Sequence, residues 1–292
     1  MLHSISFFLD ILLGGIIVGL LYSLISLGLN LQFGVTKILN VAHGEFMITA
    51  SYLSYVIFTS CKMDPFFSLL IILPLFFFIG FAFEKGLFGR LYLRLPLDEA
   101  ISISLLICFG LMFIIQNVLL VTFGRTEKSY EYATQVIDIV GAVFPFNRII
   151  VGIVGVTLNI ALYLFLNYTQ TGRALRATIM EPIGAQLVGI NIFKVRSYAF
   201  GLGLITSGLA GMLISMLYAI TPFAGSTYTI IALIVIILGG FGSMIGSVLG
   251  GIILGFVSYV TIRLLSSTLV LVIFYMIFLL ILLVRPQGLF RR

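Results

Sequence analysis

The sequence predicts an all-α, polytopic membrane protein of about eight or nine transmembrane helices, N-terminus outside and C-terminus in the cytoplasm. Three observations carry this. The 292 residues are 61% hydrophobic and only 9% charged, with a mean hydropathy of +1.25, far above the apolar share of a water-soluble domain. No charged residue occurs from 197 to 262, roughly 100 Å of helix, which demands several crossings of a hydrocarbon core about 30 Å thick. The Lys and Arg residues sit in short segments between apolar runs, eleven on the side assigned to the cytoplasm and five on the other. The formal charge of +6 therefore orients the chain and is no nucleic-acid signal.

The first span is 11–36. No Lys or Arg precedes Lys37, so the start lacks a signal peptide's basic region and lies outside. Gly15 and Gly19 carry the GxxxG spacing that lets a second helix approach closely. The second span, 39–58, opens on Asn40, His43, Gly44 and Glu45, candidates for the translocation pathway because ionisable groups at membrane depth are costly. On an unbroken helix Glu45 points away from His43, so a single cluster requires a break, which Gly44 permits. Three roles stay open for this group: a polar cap at the interface, helix packing, or contact with substrate. A third span covers 65–83, and Lys85, Arg90 and Arg94 make the loop after it cytoplasmic. A fourth span, 100–124, leads to a mixed-charge extracytoplasmic loop at 125–148, and a fifth, 149–168, returns the chain to the cytoplasm.

The polar interval 172–197 follows, with Arg173, Arg176, Lys194 and Arg196. Glu181-Pro182 suits a helix start and Gly189 a stop, with Ile183, Leu187 and Ile190 on one face. Such a segment either presents an apolar stripe to a cytoplasmic partner or lies against headgroups. Turn signals at 221–227 and 239–243 then divide the uncharged stretch into three crossings. The middle one, 228–240, is short, so re-entrant or broken helices are expected near 39–46 and 228–243. A last span at 264–284 leaves RPQGLFRR in the cytoplasm.

Residues 239–255 stack small-xxx-small spacings. Gly242 with Gly246, Gly246 with Gly250, and Gly251 with Gly255 read as helix packing, beside Gly239 and Gly240 at the turn. No GxxxxGK[ST] loop, HExxH, GxSxG or CxxC occurs, and Cys61 and Cys108 show no metal or disulfide spacing. A membrane enzyme has little to stand on. A proton-coupled transporter or channel using Glu45 is the stronger rival.

At this point GLLYSLISLGLNLQFGVTKILNVAHGEFMITASY (19–52), GRALRATIMEPIGAQLVGIN (172–191), LGGFGSMIGSVLGGIILG (238–255) and RPQGLF (285–290) resemble the LivH-type permeases. These are integral subunits of branched-chain amino-acid ABC importers in the bacterial cytoplasmic membrane. The resemblance implies one permease domain over 1–292 that alternates access and binds no cofactor itself. It also implies a second, related permease chain, two cytoplasmic ATP-binding subunits that hold ATP and Mg, and an extracytoplasmic solute-binding protein. It makes 172–197 the coupling loop, with Glu181, Ala185, Leu187, Gly189 and Ile190 as ATPase contacts flanked by Arg173 and Arg176. Glu181 stands where relatives often carry Asp, and Pro182-Ile183-Gly184 where charged residues are common. Relatives of this type also import urea and short amides, which is the alternative substrate class.

Overall fold

The computed structural model describes residues 2–139, 142–285 and 287–290; Pro286, Arg291 and Arg292 of the basic tail lie outside the described residues. The chain is an α-helical bundle. Among the described residues six helices are long and apolar enough to cross a membrane, and Ala224–Gly239 and Leu269–Val284 are shorter apolar helices. In chain order the helices are α1 (Leu2–Thr36), α2 (His43–Thr59), α3 (Leu69–Phe83), α4 (Gly89–Arg94), α5 (Leu97–Phe123) and α6 (Phe146–Tyr168). They continue with α7 (Gln170–Met180), α8 (Pro182–Leu187), α9 (Ile192–Ser215), α10 (Ala224–Gly239), α11 (Met244–Leu264) and α12 (Leu269–Val284).

The bundle is organised on α1 and α9, which lie against each other at its centre. Around them the packing repeats with the chain direction reversed. Helix α3 runs along α9 as α11 runs along α1; α2 packs on α9 as α10 packs on α1; α2 touches α5 as α10 touches α12. The two halves are therefore an inverted pair, α1–α5 against α9–α12, joined through α6, α7 and α8. Glycine sets the closeness of these contacts, since lipid gives helices no hydrophobic reason to associate. A Cβ on Gly255 would lie 2.2 Å from the Gly19 Cα, and one on Gly80 2.8 Å from the Gly201 Cα.

Several boundaries differ from the sequence expectation, each for a physical reason. Helix α1 begins at Leu2 rather than 11, because Asp10 is neutralised within it by an ion pair to Arg263. The third span does not stop at residue 83. Pro65–Arg94 is one helical rod with a π-helical turn at Glu84–Phe88, and Glu84 is buried against Arg196. Most of the 172–197 interval is helical, made of α7, α8 and the start of α9, which places Arg196 inside a helix. The mixed-charge loop carries an antiparallel hairpin, β1 (Val136–Ile139) with β2 (Ala142–Pro145), a small departure from an all-α fold. The short crossing starts at Ala224, four residues earlier than its turn signal suggests.

Candidate functional site

The centre of the bundle is built by two helices that begin there. Helix α1 ends where Lys37 takes a left-handed backbone, φ 60°. Residues 37–42 then run back along α1 instead of away from it. The Thr36 hydroxyl stabilises the reversal, donating to the Gln32 carbonyl (2.7 Å) and accepting from the Ile38 N–H (3.2 Å). Helix α2 consequently starts beside Ile25, whose carbonyl lies 3.0 Å from His43 Nε2. Ile25 is about 16 Å of helix back from Thr36. From the opposite end, 216–223 dips in the same way and α10 starts against α2. A Cβ on Gly44 would meet the Gly225 carbonyl oxygen at 1.9 Å, and one on Gly225 would meet the Glu45 carboxyl carbon at 2.4 Å. Both positions need glycine for the two helix starts to touch.

A set of side chains fastens the reversed segments. Thr229 Oγ1 accepts from the Gly44 N–H (2.8 Å) and lies 3.1 Å from the Val41 carbonyl, so one hydroxyl of α10 ties down the start of α2. Ser207 Oγ donates to the His43 carbonyl (2.8 Å). Asn40 Nδ2 donates to Gln32 Oε1 (3.2 Å), and Gln32 Nε2 donates to the Phe200 carbonyl (3.1 Å), linking α1 to α9. These bonds answer the cost of leaving backbone polar groups unmade away from water.

The first N–H groups of a helix have no intrahelical partner and carry partial positive charge. Two such ends meet here. The Glu45 carboxyl group is buried and rests on the first turn of α10. Because the Ile25 carbonyl can only accept, His43 carries its proton on Nε2, while Nδ1 is buried without a partner. Among the described residues no group of three or more His, Cys, Asp or Glu could hold a metal ion.

Helix α2 is not broken at Gly44: it runs unbroken from His43 to Thr59, and the interruption expected near 39–46 falls ahead of it, in the reversed segment 37–42. Asn40 lies in the reversed segment, and all four residues are closed in by α1, α9 and α10. Gln32, Ser207, Gly225 and Thr229 complete the junction and were not singled out from sequence. Gln32, an amide side chain in the first span two residues after Asn30, is the signal that sequence offers.

The second candidate region lies at the end of the bundle where α1 and α10 finish. Thr169 caps α7, and α7 seats Leu175 on the small apolar cluster formed with Leu31, Val35, Leu166 and Val195. Glu181 is extended (φ −150°), Pro182 opens α8, and Gly189 ends the segment at φ 86°. Met180, Ile183, Leu187 and Val188 are 71–84% exposed, a compact apolar knob on a short helix. Glu181 and Gly189 flank it at the surface. Ala185 is buried and Ile190 packs inward on the same small cluster, so the stripe read as 183, 187 and 190 loses its last member to the interior. Arg173 is exposed, whereas Arg176 binds the Asn167 side chain (2.7 Å) and carbonyl (3.2 Å), closing the end of α6.

The glycines of 239–255 all sit at close approaches or turns. Gly239 faces Gly246, Gly250 faces Val235, Gly251 faces Ser23 and Gly255 faces Gly19. Gly240 (φ 95°) and Gly242 (φ 79°) form the turn, where Asn30 Oδ1 accepts from the Gly242 N–H at 2.8 Å and Asn30 Nδ2 donates to Ser247 Oγ at 2.7 Å.

Residues 11–283 match the family model described as branched-chain amino acid transport system / permease component. The chain belongs to that permease family. The permease is 28% identical to the high-affinity branched-chain amino acid transport system permease protein LivH of Salmonella typhimurium, covering 98% of this chain and 96% of the relative. It is 27% identical to BraD of Pseudomonas aeruginosa over the same shares, and 30% identical to a probable LivH of Methanocaldococcus jannaschii over 84% and 78%. Among solved structures, PsaBC from Streptococcus pneumoniae in complex with Fab aligns with a TM-score of 0.52 at 12% identity, covering 94% of the permease and 91% of that chain. This last likeness concerns the fold alone.

Proposed function

We propose that this permease is the non-catalytic membrane subunit of an ATP-driven importer that moves leucine, isoleucine and valine into the cytoplasm. The single observation that carries the coupling to ATP is the exposed apolar knob around α8, formed by Met180, Ile183, Leu187 and Val188. An apolar surface of this kind on a short helix fits a groove in a cytoplasmic partner. The reading places α7 and α8 in the cytoplasm. It is supported by the charge distribution: nine of the fourteen described basic residues lie at that end of the bundle and five at the other. The relatives named for branched-chain amino acids support the substrate class.

In this reading two ATP-binding subunits hold ATP and Mg, a second permease chain completes the pathway, and an extracytoplasmic binding protein delivers substrate. Closing of the ATP-binding subunits displaces α8, which is joined to α9 by the short turn at 188–191. Helix α9 contacts α1, α2 and α3, so its movement changes the central junction where α2 and α10 begin. Alternating access then consists of two packings of the same helices, whose balance the nucleotide shifts. Leu187→Asp and Ile183→Asp test this. Both variants accumulate in the membrane, fail to retain the ATP-binding subunit on purification, and lose uptake. Retention of that subunit together with normal uptake contradicts the assignment.

A further inference from the structure

The two halves of the bundle each end in an ion pair, and the two pairs occupy opposite mouths. At the α8 end, Arg196 near the start of α9 donates through Nε to Glu84 Oε1 at 2.7 Å, and its guanidinium stacks 3.8 Å from the centroid of the Tyr92 ring. At the far end, Arg263 on α11 pairs with Asp10 on α1 and lies 5.9 Å from the centroid of the Tyr259 ring. The Tyr259 hydroxyl donates to Asp10 (2.9 Å) and accepts from Arg148 (3.0 Å). The positions correspond under the inverted repeat: Glu84 stands nineteen residues beyond Pro65 and Arg263 nineteen beyond Met244, the starts of their rods. Acid and base exchange places between the halves, and each cluster contains a tyrosine.

The geometry points to a pair of clamps. We propose that Glu84, Arg196 and Tyr92 form a transmission clamp that makes the rod Pro65–Arg94 move as one body with α9 when α8 is displaced. The Asp10, Arg263 and Tyr259 cluster binds α1 to α11 in the same way at the opposite mouth. The clamp rests on the coupling reading given above. Three features distinguish it from an incidental surface pair. Glu84 and Arg196 have only 2% and 11% of their side chains exposed, so solvent does little to screen them. The π-helical turn at Glu84–Phe88 is a local departure from regular helix at the site where the carboxylate is presented. Along the rest of the interface Gly80 and Gly201 bring the backbones together, so an end clamp completes a contact that has no slack. Glu84, Arg196 and Tyr92 are positioning residues: nothing they hold is substrate or nucleotide.

The test uses the reconstituted importer complex and reads uptake per ATP hydrolysed. Couplings between sites commonly span about 5–150-fold, so Glu84→Gln is expected to lower this ratio about tenfold while ATP hydrolysis and subunit association persist. E84R/R196E restores part of the ratio. In a C61S/C108S background, bridging E84C/R196C with a short bifunctional thiol reagent raises the ratio, because the covalent link replaces the ion pair. A wild-type ratio in Glu84→Gln, or uptake abolished by the bridge and recovered with a cleavable reagent, overturns the clamp. Amide exchange on the full chain gives an answer independent of the importer reading. With the clamp, Glu84→Gln raises exchange in 84–94 and in 192–196 together. Unchanged exchange there also overturns it, whereas a wild-type complex without ATP-dependent uptake overturns the importer reading.

Discussion

At the scale of single residues, the structure turns on side chains that are absent as much as on those present. A leucine at Gly255 would drive its Cβ into the Gly19 backbone, and overpacking of this kind costs about 1–3 kcal/mol. Gly255→Leu is therefore expected to lower the thermal midpoint of the purified chain, with an alanine at 255 less severe. An unchanged midpoint would contradict the α1–α11 contact. Asn30 is the polar counterpart. It bonds the half-buried Gly242 N–H and Ser243 carbonyl and the buried Ser247 hydroxyl, and Asn30→Leu removes all three bonds at a cost of about 1–3 kcal/mol. A loss of stability in Asn30→Leu with the 239–243 turn made protease-sensitive checks it. The glycine spacings were legible because small residues at i and i+4 have one physical use in lipid. The partners were not: Asn30 and Gly242 are 212 residues apart, and no local pattern announces such a bond.

At the scale of elements, the informative ones are the helices that start inside the bundle. Helix α2 opens at His43 and α10 at Ala224, and one hydroxyl, that of Thr229, joins their first turns. Thr229→Val keeps the shape and removes the bridge between the Gly44 N–H and the Val41 carbonyl. It is expected to cost about 1–2 kcal/mol and to slow uptake more than it lowers membrane accumulation. Equal uptake per molecule would show that the junction does not take part in transport. The sequence carried a partial record of this region. A middle crossing too short to span, and ionisable residues straight after Lys37, mark both interruptions. The reversal of 37–42 along α1 was not legible, because composition states how long a segment is and not which way it runs. The rod through Glu84 was missed for a related reason. A buried carboxylate reads as a helix end until its partner, 112 residues away, is known.

At the scale of the whole molecule, an inverted pair of half-bundles meets at two helix starts, with an apolar knob at one mouth and ion-pair clusters at both. Such an arrangement has two mouths of similar construction and a centre closed by packing, as alternation between them requires. In the proposed function ATP hydrolysed by partner subunits, and not an ion gradient, drives this alternation. Uptake of labelled leucine, isoleucine and valine into cells with and without this chain tests it directly. The expected uptake depends on the chain, survives a proton ionophore and stops on ATP depletion. Uptake abolished by the ionophore while ATP is held constant would contradict it and make the buried Glu45 a proton site.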